Sequence, residues 1–428
     1  MNKFNAKRVA VIGGGTSGIA AAKLASKKGF ETFLFEQKKG VIDSYLREEL
    51  YNRGIKLIEG EHKKGDFSKI DLVILSPGVP VHKIKKVLDP HIPIMSEIEF
   101  AYTYLKKEKI IGVTGTNGKT TTVGIISWVL NKLEIDHFVG GNYGIPLSDY
   151  VLDGSKKKII LLELSSFQLQ NIKDFRCNIA VFLNFSENHL DFHKDMDEYL
   201  TCKLHIFKNQ TSDDVAIINI NLKPFLNGTI FNSQVKYFSK ADFKLKNLIG
   251  EHNLENIAAA YLVCKELGIS KNQFIEAASD FRPFEHRLEY VGEINGVKFF
   301  NDSKSTTLKS IEAAVNSFED PVLLIAGGKL KGGDPKKTGM CIKDKISYAC
   351  VFGQSGDIFY EKWNKYFPVE KVKDINQAVS LLFANSKKGD IILFSPGCSS
   401  FDMFENYKER GNCFKNIVKS LIKSVKYN

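Results

Sequence analysis

Residues 112–122 read Gly-Val-Thr-Gly-Thr-Asn-Gly-Lys-Thr-Thr-Thr, between the apolar run Ile110-Ile111-Gly112-Val113 and a helical pattern over 123–130. A strand that runs through a glycine loop into a helix commits this part of the chain to a βα unit, and the loop predicts a triphosphate cradle. Glycines let backbone N–H groups close around phosphate oxygens. Lys119 brings positive charge to the outer phosphates, and the Thr120 hydroxyl is placed to ligate Mg²⁺. The usual loop has four residues between its glycines, whereas Gly115 and Gly118 enclose two, Thr116 and Asn117, so this is a shortened variant.

Similar units flank it. Arg8-Val9-Ala10-Val11-Ile12 is a short β-branched run, followed by Gly13-Gly14-Gly15-Thr16-Ser17-Gly18, an alanine-rich helix over 19–28 and a second strand, Thr32-Phe33-Leu34-Phe35, that ends at Glu36. This is the glycine fingerprint of a dinucleotide-type fold. Asp71-Leu72-Val73-Ile74-Leu75-Ser76-Pro77-Gly78 adds a buried strand with a turn, so residues 1–96 read as one doubly wound domain. A central domain over 97–283 continues past the phosphate loop through strands at 159–163 and 179–184. After a linker at Phe281-Arg282-Pro283-Phe284, a third domain over 284–428 has strands at 297–300, 322–326, 349–352 and 391–394. The fold class is α/β in three domains: Rossmann-like, a central P-loop ATPase-type parallel or mixed sheet, and Rossmann-like again. Reactants are expected to meet between domains.

A length of 428 residues agrees with about three domains of ~150 residues. Apolar runs fall short of the ~18 residues of a spanning helix, and no signal-type segment opens the chain, so a cytoplasmic enzyme is expected. Seven cysteines without a C-x-x-C pair argue against zinc ribbons and redox motifs. The net charge of +11 comes from dispersed lysines without a basic stripe, which favours anionic small substrates over nucleic acid.

Chemistry-bearing residues cluster at predicted strand ends. Glu163, in Glu163-Leu164-Ser165-Ser166-Phe167-Gln168-Leu169, either caps the next helix or ligates magnesium. Asn184-Phe185-Ser186-Glu187-Asn188-His189-Leu190-Asp191-Phe192-His193 places His189 on the same rim. The 189/193 spacing would let two histidines share a helix face, but a zinc site is rejected without H-E-x-x-H or a cysteine nearby. The spacing of Leu200, Leu204 and Phe207 makes Lys203 a snorkelling surface lysine. Asn253 and Asn256 lie one turn apart at a helix start, as caps or as readers of a purine edge. Glu285-His286-Arg287, Asn301-Asp302-Ser303-Lys304-Ser305-Thr306-Thr307, Ala326-Gly327-Gly328-Lys329-Leu330-Lys331 and Ser395-Pro396-Gly397-Cys398-Ser399-Ser400-Phe401 are polar or glycine-bearing segments. The last three follow strands and share one rim.

Together these motifs resemble the Mur ligases, the ATP-dependent amide-forming enzymes of peptidoglycan precursor synthesis, over the whole chain. The marks are the loop from Gly115 to Thr120, Glu163, Asn188-His189-Leu190-Asp191, His252-Asn253 with Asn256, Glu285-His286-Arg287 and Asn301-Asp302-Ser303-Lys304. Residues 162–169, Leu75-Ser76-Pro77-Gly78-Val79 and 395–404 resemble the members that add D-glutamate. The resemblance implies that the carboxylate of UDP-MurNAc-L-alanine attacks the γ-phosphate of ATP, and that D-glutamate then displaces phosphate from the acyl phosphate. It implies catalytic roles for Lys119, Glu163, His189 and Lys203, with one Mg²⁺ on Thr120 and Glu163 and a second on His189 and a CO₂-carbamylated Lys203. The surface reading of Lys203 is thereby reversed, and its pocket must lower the amine's pKa.

The resemblance further implies ATP contacts from Gly115, Thr116, Asn117, Gly118, Lys119, Thr120, Thr121, Asn253, Asn256, Arg287 and Asp302. UDP-substrate contacts would come from Gly15, Thr16, Ser17, Gly18, Glu36, Gln37, Ser76, Asn142 and His189, and D-glutamate contacts from Lys304, Thr306, Lys331, Ser400 and Phe401. A monomer without membrane insertion is expected. Thr307 stands where asparagine is common in the family, and Phe401 where leucine is usual. Two competing classes are a folylpolyglutamate synthase, which would lack the N-terminal phosphate-binding unit, and an NAD-binding oxidoreductase or regulatory module built on Gly13 to Gly18.

Overall fold

The structure, a computed structural model, describes residues 6–426 except 155, 190, 191, 249, 283, 284 and 319. The opening residues 1–5, Leu190 and Asp191 of the His189 motif, and Pro283 and Phe284 of the expected linker lie outside the described residues.

Three sheets form where β-branched and aromatic runs bury both faces. The first has β1 (Arg8–Ile12), β2 (Glu31–Glu36), β3 (Lys56–Glu59), β4 (Leu72–Leu75) and β5 (Ile94–Ser96), in the order β3-β2-β1-β4-β5 with every ladder parallel. The strand order reverses between β1 and β4, so a crevice opens at their C-terminal ends.

The second has β6 (Lys109–Thr114), β7 (His137–Gly141), β8 (Ile159–Glu163), β9 (Ile179–Phe182), β10 (Val215–Asn219) and β11 (Gln234–Phe238), ordered β11-β10-β9-β6-β8-β7. It is parallel throughout. The register sets Val113 beside Glu163 and Thr114 beside Phe182, which brings three strand ends to the phosphate loop.

The third has β12 (Glu289–Ile294), β13 (Val297–Asn301), β14 (Val322–Gly327), β15 (Ile346–Phe352), β16 (Val369–Lys371) and β17 (Ile391–Phe394), ordered β12-β13-β17-β14-β15-β16. Only β12 runs antiparallel to its neighbour among these ladders. Because β13, β17 and β14 are adjacent, the three polar turns that follow them share one rim.

The chain forms two compact units, Met1–Ala241 with Glu255–Ser279, and Asp242–Leu254 with Asp280–Asn428. The first unit holds the first two sheets, joined by a common core in which Phe30 meets Phe100 edge-on at 6.1 Å. Fully burying such a side chain is worth about 1.5–3 kcal/mol. Glu97 is sealed in the same unit, where Oε1 accepts the Ser148 N–H at 2.7 Å.

Some local expectations shift. The first helix spans Thr16–Lys27, so Thr16, Ser17 and Gly18 are helical rather than turn. A Cβ on Gly18 would lie 1.8 Å from the Gly13 carbonyl oxygen, the close helix-to-strand approach the third glycine permits. The helix after the phosphate loop begins at Lys119, so Lys119, Thr120 and Thr121 form its first turn. The fourth central strand ends at Phe182, two residues early, and among the described residues no helix carries His189 or His193.

Candidate active site

The phosphate loop is held by β9's extension. Asn184 accepts the Thr116 N–H on its backbone oxygen (3.0 Å) and the Asn117 N–H on Oδ1 (2.8 Å), and its Nδ2 donates to the Asn117 carbonyl (3.2 Å). Two loop amides are therefore engaged inside the protein, and the helix Lys119–Lys132 supplies its N-terminus toward an anion. Gly115 and Gly118 take φ of +155° and +81°. A Cβ on Gly118 would lie 2.2 Å from Asn256 Oδ1, so this glycine is required by packing as well as by conformation.

Two ammonium groups converge on one carbonyl. Lys119 Nζ donates to Gly115 O (2.8 Å) and Thr116 O (2.9 Å), and Lys203 Nζ donates to the same Gly115 O (2.8 Å). Lys203 is 1% exposed, which overturns the surface reading drawn from Leu200, Leu204 and Phe207. The helix Met196–Leu204 instead turns Tyr199, Cys202 and Lys203 inward, and Lys203 Nζ sits 4.7 Å over the Tyr199 ring. Burial, then the charge of Lys119, holds the Lys203 amine well below the usual lysine range.

Glu163 ends β8, 2% exposed. Its Oε1 accepts from Asn142 Nδ2 at 2.7 Å, its backbone oxygen accepts the Asn142 N–H at 2.8 Å, and its Oε2 is buried without a hydrogen-bond partner. Ser165, not Glu163, caps the following helix by accepting the Gln168 N–H. An uncapped, half-satisfied buried carboxylate fits a cation ligand. The His189 ring meets the Tyr199 ring edge-on, centroids 5.9 Å apart, and His189 has φ of +58°, with its N–H held by Asn188 Oδ1 at 2.9 Å. A left-handed conformation in a residue with a side chain is a strain that functional sites tolerate. His193 is instead structural: buried, stacked on Phe167 at 5.4 Å, with Nε2 bonded to Ser166 Oγ at 2.9 Å. Among the described residues no group of three or more His, Cys, Asp and Glu could hold a metal.

Asn256 is the sixth residue of the helix Glu251–Glu266 and so is no cap; its Oδ1 accepts from Thr122 Oγ1 at 3.4 Å, beside Gly118. Asn253, also buried, follows Gly250 at the helix start. In the second unit Asp302 accepts from Ser395 Oγ (2.9 Å) and the Leu288 N–H (3.3 Å), and burial pushes its carboxyl up to about 7, against the pull of Arg287. Arg287 is half-buried in the adjoining segment.

Two segments of the chain match family models: residues 113–247 match the Mur ligase middle domain, and 286–398 match the Mur ligase glutamate ligase domain. A protein of Lawsonia intracellularis named UDP-N-acetylmuramoylalanine--D-glutamate ligase is 40% identical over 422 residues, 98% of this chain and 96% of that protein. The chain belongs to the Mur ligase family. A Desulfovibrio desulfuricans protein of the same name is 38% identical over 96% of each chain. The structure of a MurF ligase from Thermotoga maritima in complex with ADP shares the fold, with a TM-score of 0.64, 17% identity and coverage of 98% of this chain and 100% of that one.

At the N-terminal crevice of this Mur ligase, Glu36 organises the glycine loop: Oε2 accepts the Gly14 N–H (2.7 Å) and Oε1 the Lys38 N–H (2.9 Å). Ser76 is buried at the end of β4, its N–H on Ile12 O, while Gly15, Thr16 and Gln37 are exposed, Ser17 is half-buried and Gly18 is packed inside. On the third sheet's rim Lys304 Nζ lies 4.0 Å over the Tyr407 ring, Ser400 is buried, Thr306 is half-buried, and Lys331 and Phe401 are exposed. Thr307 caps the helix Leu308–Val315 through the Ser310 N–H, a role asparagine could also fill. Nothing in the structure explains Phe401.

Sequence reading passed over Asn184, Tyr199, Tyr407 and Arg410 of the Mur ligase. Asn184 stood at a strand end, a recoverable signal. The other three act from helices that only the fold brings under the loops.

Proposed function

We propose the following working of this Mur ligase, an ATP-dependent ligase of peptidoglycan precursor synthesis that joins D-glutamate to UDP-N-acetylmuramoyl-L-alanine. The observation that carries the reading is Lys203, a buried amine held on the phosphate loop's own Gly115 carbonyl. Charge builds on phosphoryl oxygens during transfer, so cations and oriented N–H groups matter more than a protein nucleophile. Lys119 exchanges its two neutral carbonyl acceptors for phosphate oxygens, a charge-assisted gain. A carboxylate oxygen of the UDP-linked substrate bonds to the γ-phosphorus and ADP leaves. The D-glutamate nitrogen then bonds to the acyl carbon, the amine loses a proton, and phosphate leaves.

Thr120 and Glu163 would hold one Mg²⁺, and His189 with a carbamylated Lys203 a second, to neutralise the transferring phosphoryl group. The unpartnered Glu163 Oε2 fits that use. Carbamylation joins a neutral amine to CO₂ with release of one proton, and the depressed pKa of Lys203 favours the neutral amine. Asn142 orients Glu163, and the Tyr199 ring packs near both His189 and Lys203.

Asn253, Asn256, Arg287 and Asp302 take adenosine and phosphates, alongside the loop residues Gly115 to Thr121. Gly15 to Gly18, Glu36, Gln37, Ser76, Asn142 and His189 take the UDP substrate. Lys304, Thr306, Lys331, Ser400 and Phe401 take the two D-glutamate carboxylates. The functional domains are 1–96, 97–283 and 284–428, and the enzyme works in the cytoplasm as a monomer. Among the described residues no helix is long and apolar enough to cross a membrane.

Phosphate release from ATP tests the reading: it should require both UDP-MurNAc-L-alanine and D-glutamate. Dinucleotide binding without such turnover would contradict it.

A further inference from the structure

The helix Tyr407–Lys426 runs under the rim of the third sheet, and its Arg410 has no exposed surface. The guanidinium binds neutral oxygens: Nε donates to Ser303 Oγ (3.1 Å), Nη2 to Ser303 O (2.8 Å) and Nη1 to Cys398 O (3.0 Å). The third turn closes on it too, since a Cβ on Gly328 would lie 3.0 Å from Nη1 and 2.5 Å from Ser399 O. One side chain therefore ties the turn after β13 to the turn after β17 and packs close to the turn after β14. Ser303 precedes Lys304, and Cys398 lies two residues before Ser400. The same helix places the Tyr407 ring under Lys304, and the Tyr407 carbonyl accepts from Ser303 Oγ at 2.8 Å.

Among the described residues no carboxylate lies within 4.0 Å of Arg410, and Asp402 and Asp302 act on its charge from farther off. Burying a cation is costly unless other charge offsets it, and neutral acceptors with distant carboxylates return only part of that cost. A structural tie between three turns could be made by a neutral amide. A cation is useful where an anion arrives, and the rim carries Lys304 and Lys331 for that purpose in the reading above.

We propose that Arg410 is a positioning residue for the incoming amino acid. It sets the turns that receive the two carboxylates, and its charge, faced by Asp402 and Asp302 only beyond ion-pair distance, raises the rim's affinity for a dianion. The proposal rests on the assignment of D-glutamate to this rim.

The test uses the full chain with Arg410→Met, Arg410→Lys and Ser303→Ala, and measures KM for all three substrates with Tm. Arg410→Met should raise the KM for D-glutamate about 10- to 100-fold while the other two KM values move less than about threefold. Arg410→Lys should recover part of the loss. An unchanged D-glutamate KM, or a parallel rise in all three, overturns the proposal and leaves a purely structural arginine. If Arg410→Met does not fold, Ser303→Ala decides: it keeps the buried charge but removes one of its anchors, and should raise the D-glutamate KM alone by about threefold or more. No change there also overturns the proposal. Should the unaltered enzyme turn over with another amino acid and not with D-glutamate, the substrate reading falls, and the same KM split with that amino acid judges Arg410 separately.

Discussion

Gly115 O accepts from both Lys119 and Lys203, the two amines to which the proposed function gives the phosphoryl chemistry. Removing Lys119 takes away the charge that phosphate oxygens would meet. Lys119→Ala should lower kcat at least about 100-fold while Tm changes little, measured by phosphate release and thermal melting. Lys203→Ala should be nearly inactive and partly rescued by added short carboxylates that replace the carbamate; full activity without rescue would remove Lys203 from the site.

Stability carries the opposite sign. The folded-state pKa of Lys203 lies below its unfolded value, so burying the ammonium is a penalty that is full below the folded pKa and is relieved as pH rises toward 10.5. In CO₂-free buffer Lys203→Met should therefore melt higher than the parent at pH 6, with the gain shrinking by pH 10. Asp302 is raised to about 7 from 3.8, so stability falls as pH rises from about 4 through about 7 and the loss persists above. Asp302→Asn should make the fall of Tm across that interval shallower.

At the scale of elements, the strand–loop–helix at 109–132 is the unit to which the proposed function gives the positioning of ATP. Gly118→Ala must place a methyl 2.2 Å from Asn256 Oδ1 at positive φ, and should weaken ATP binding at least about tenfold in a calorimetric titration. This part was legible in the sequence, since a glycine loop between a β-branched run and a helix admits few other readings. Runs such as Ile391–Phe394 announced themselves by being apolar throughout. The short or polar strands Lys56–Glu59, Gln234–Phe238 and Val369–Lys371 did not, because they sit at sheet edges where alternation is weak. Lys203 misled for a different reason. Its helix has a weakly amphipathic pattern, and tertiary contacts, among them Tyr199 with Thr116 (3.2 Å between hydroxyls) and Lys203 with Gly115 O, fix which face turns inward. A buried lysine is legible from family pattern but not from spacing.

For the whole molecule, three parallel or nearly parallel sheets place their polar turns at C-terminal strand ends, where α/β folds bind ligands. In the proposed function the first sheet's glycine loop, the second's phosphate loop and Lys304 with Lys331 on the third's rim take a UDP-linked acid, a triphosphate and a dianionic amine. The composition anticipated this in outline, since dispersed lysines on a chain of net charge +11 match substrates that are all anions. The choice of amino acid is the finest claim and depends on the third rim. The most direct measurement is phosphate release with ATP and UDP-MurNAc-L-alanine across a panel of D-glutamate, L-glutamate, L-alanine and meso-diaminopimelate. Turnover with D-glutamate alone is the predicted result; equal or greater turnover with another member, or none with D-glutamate, would contradict the account.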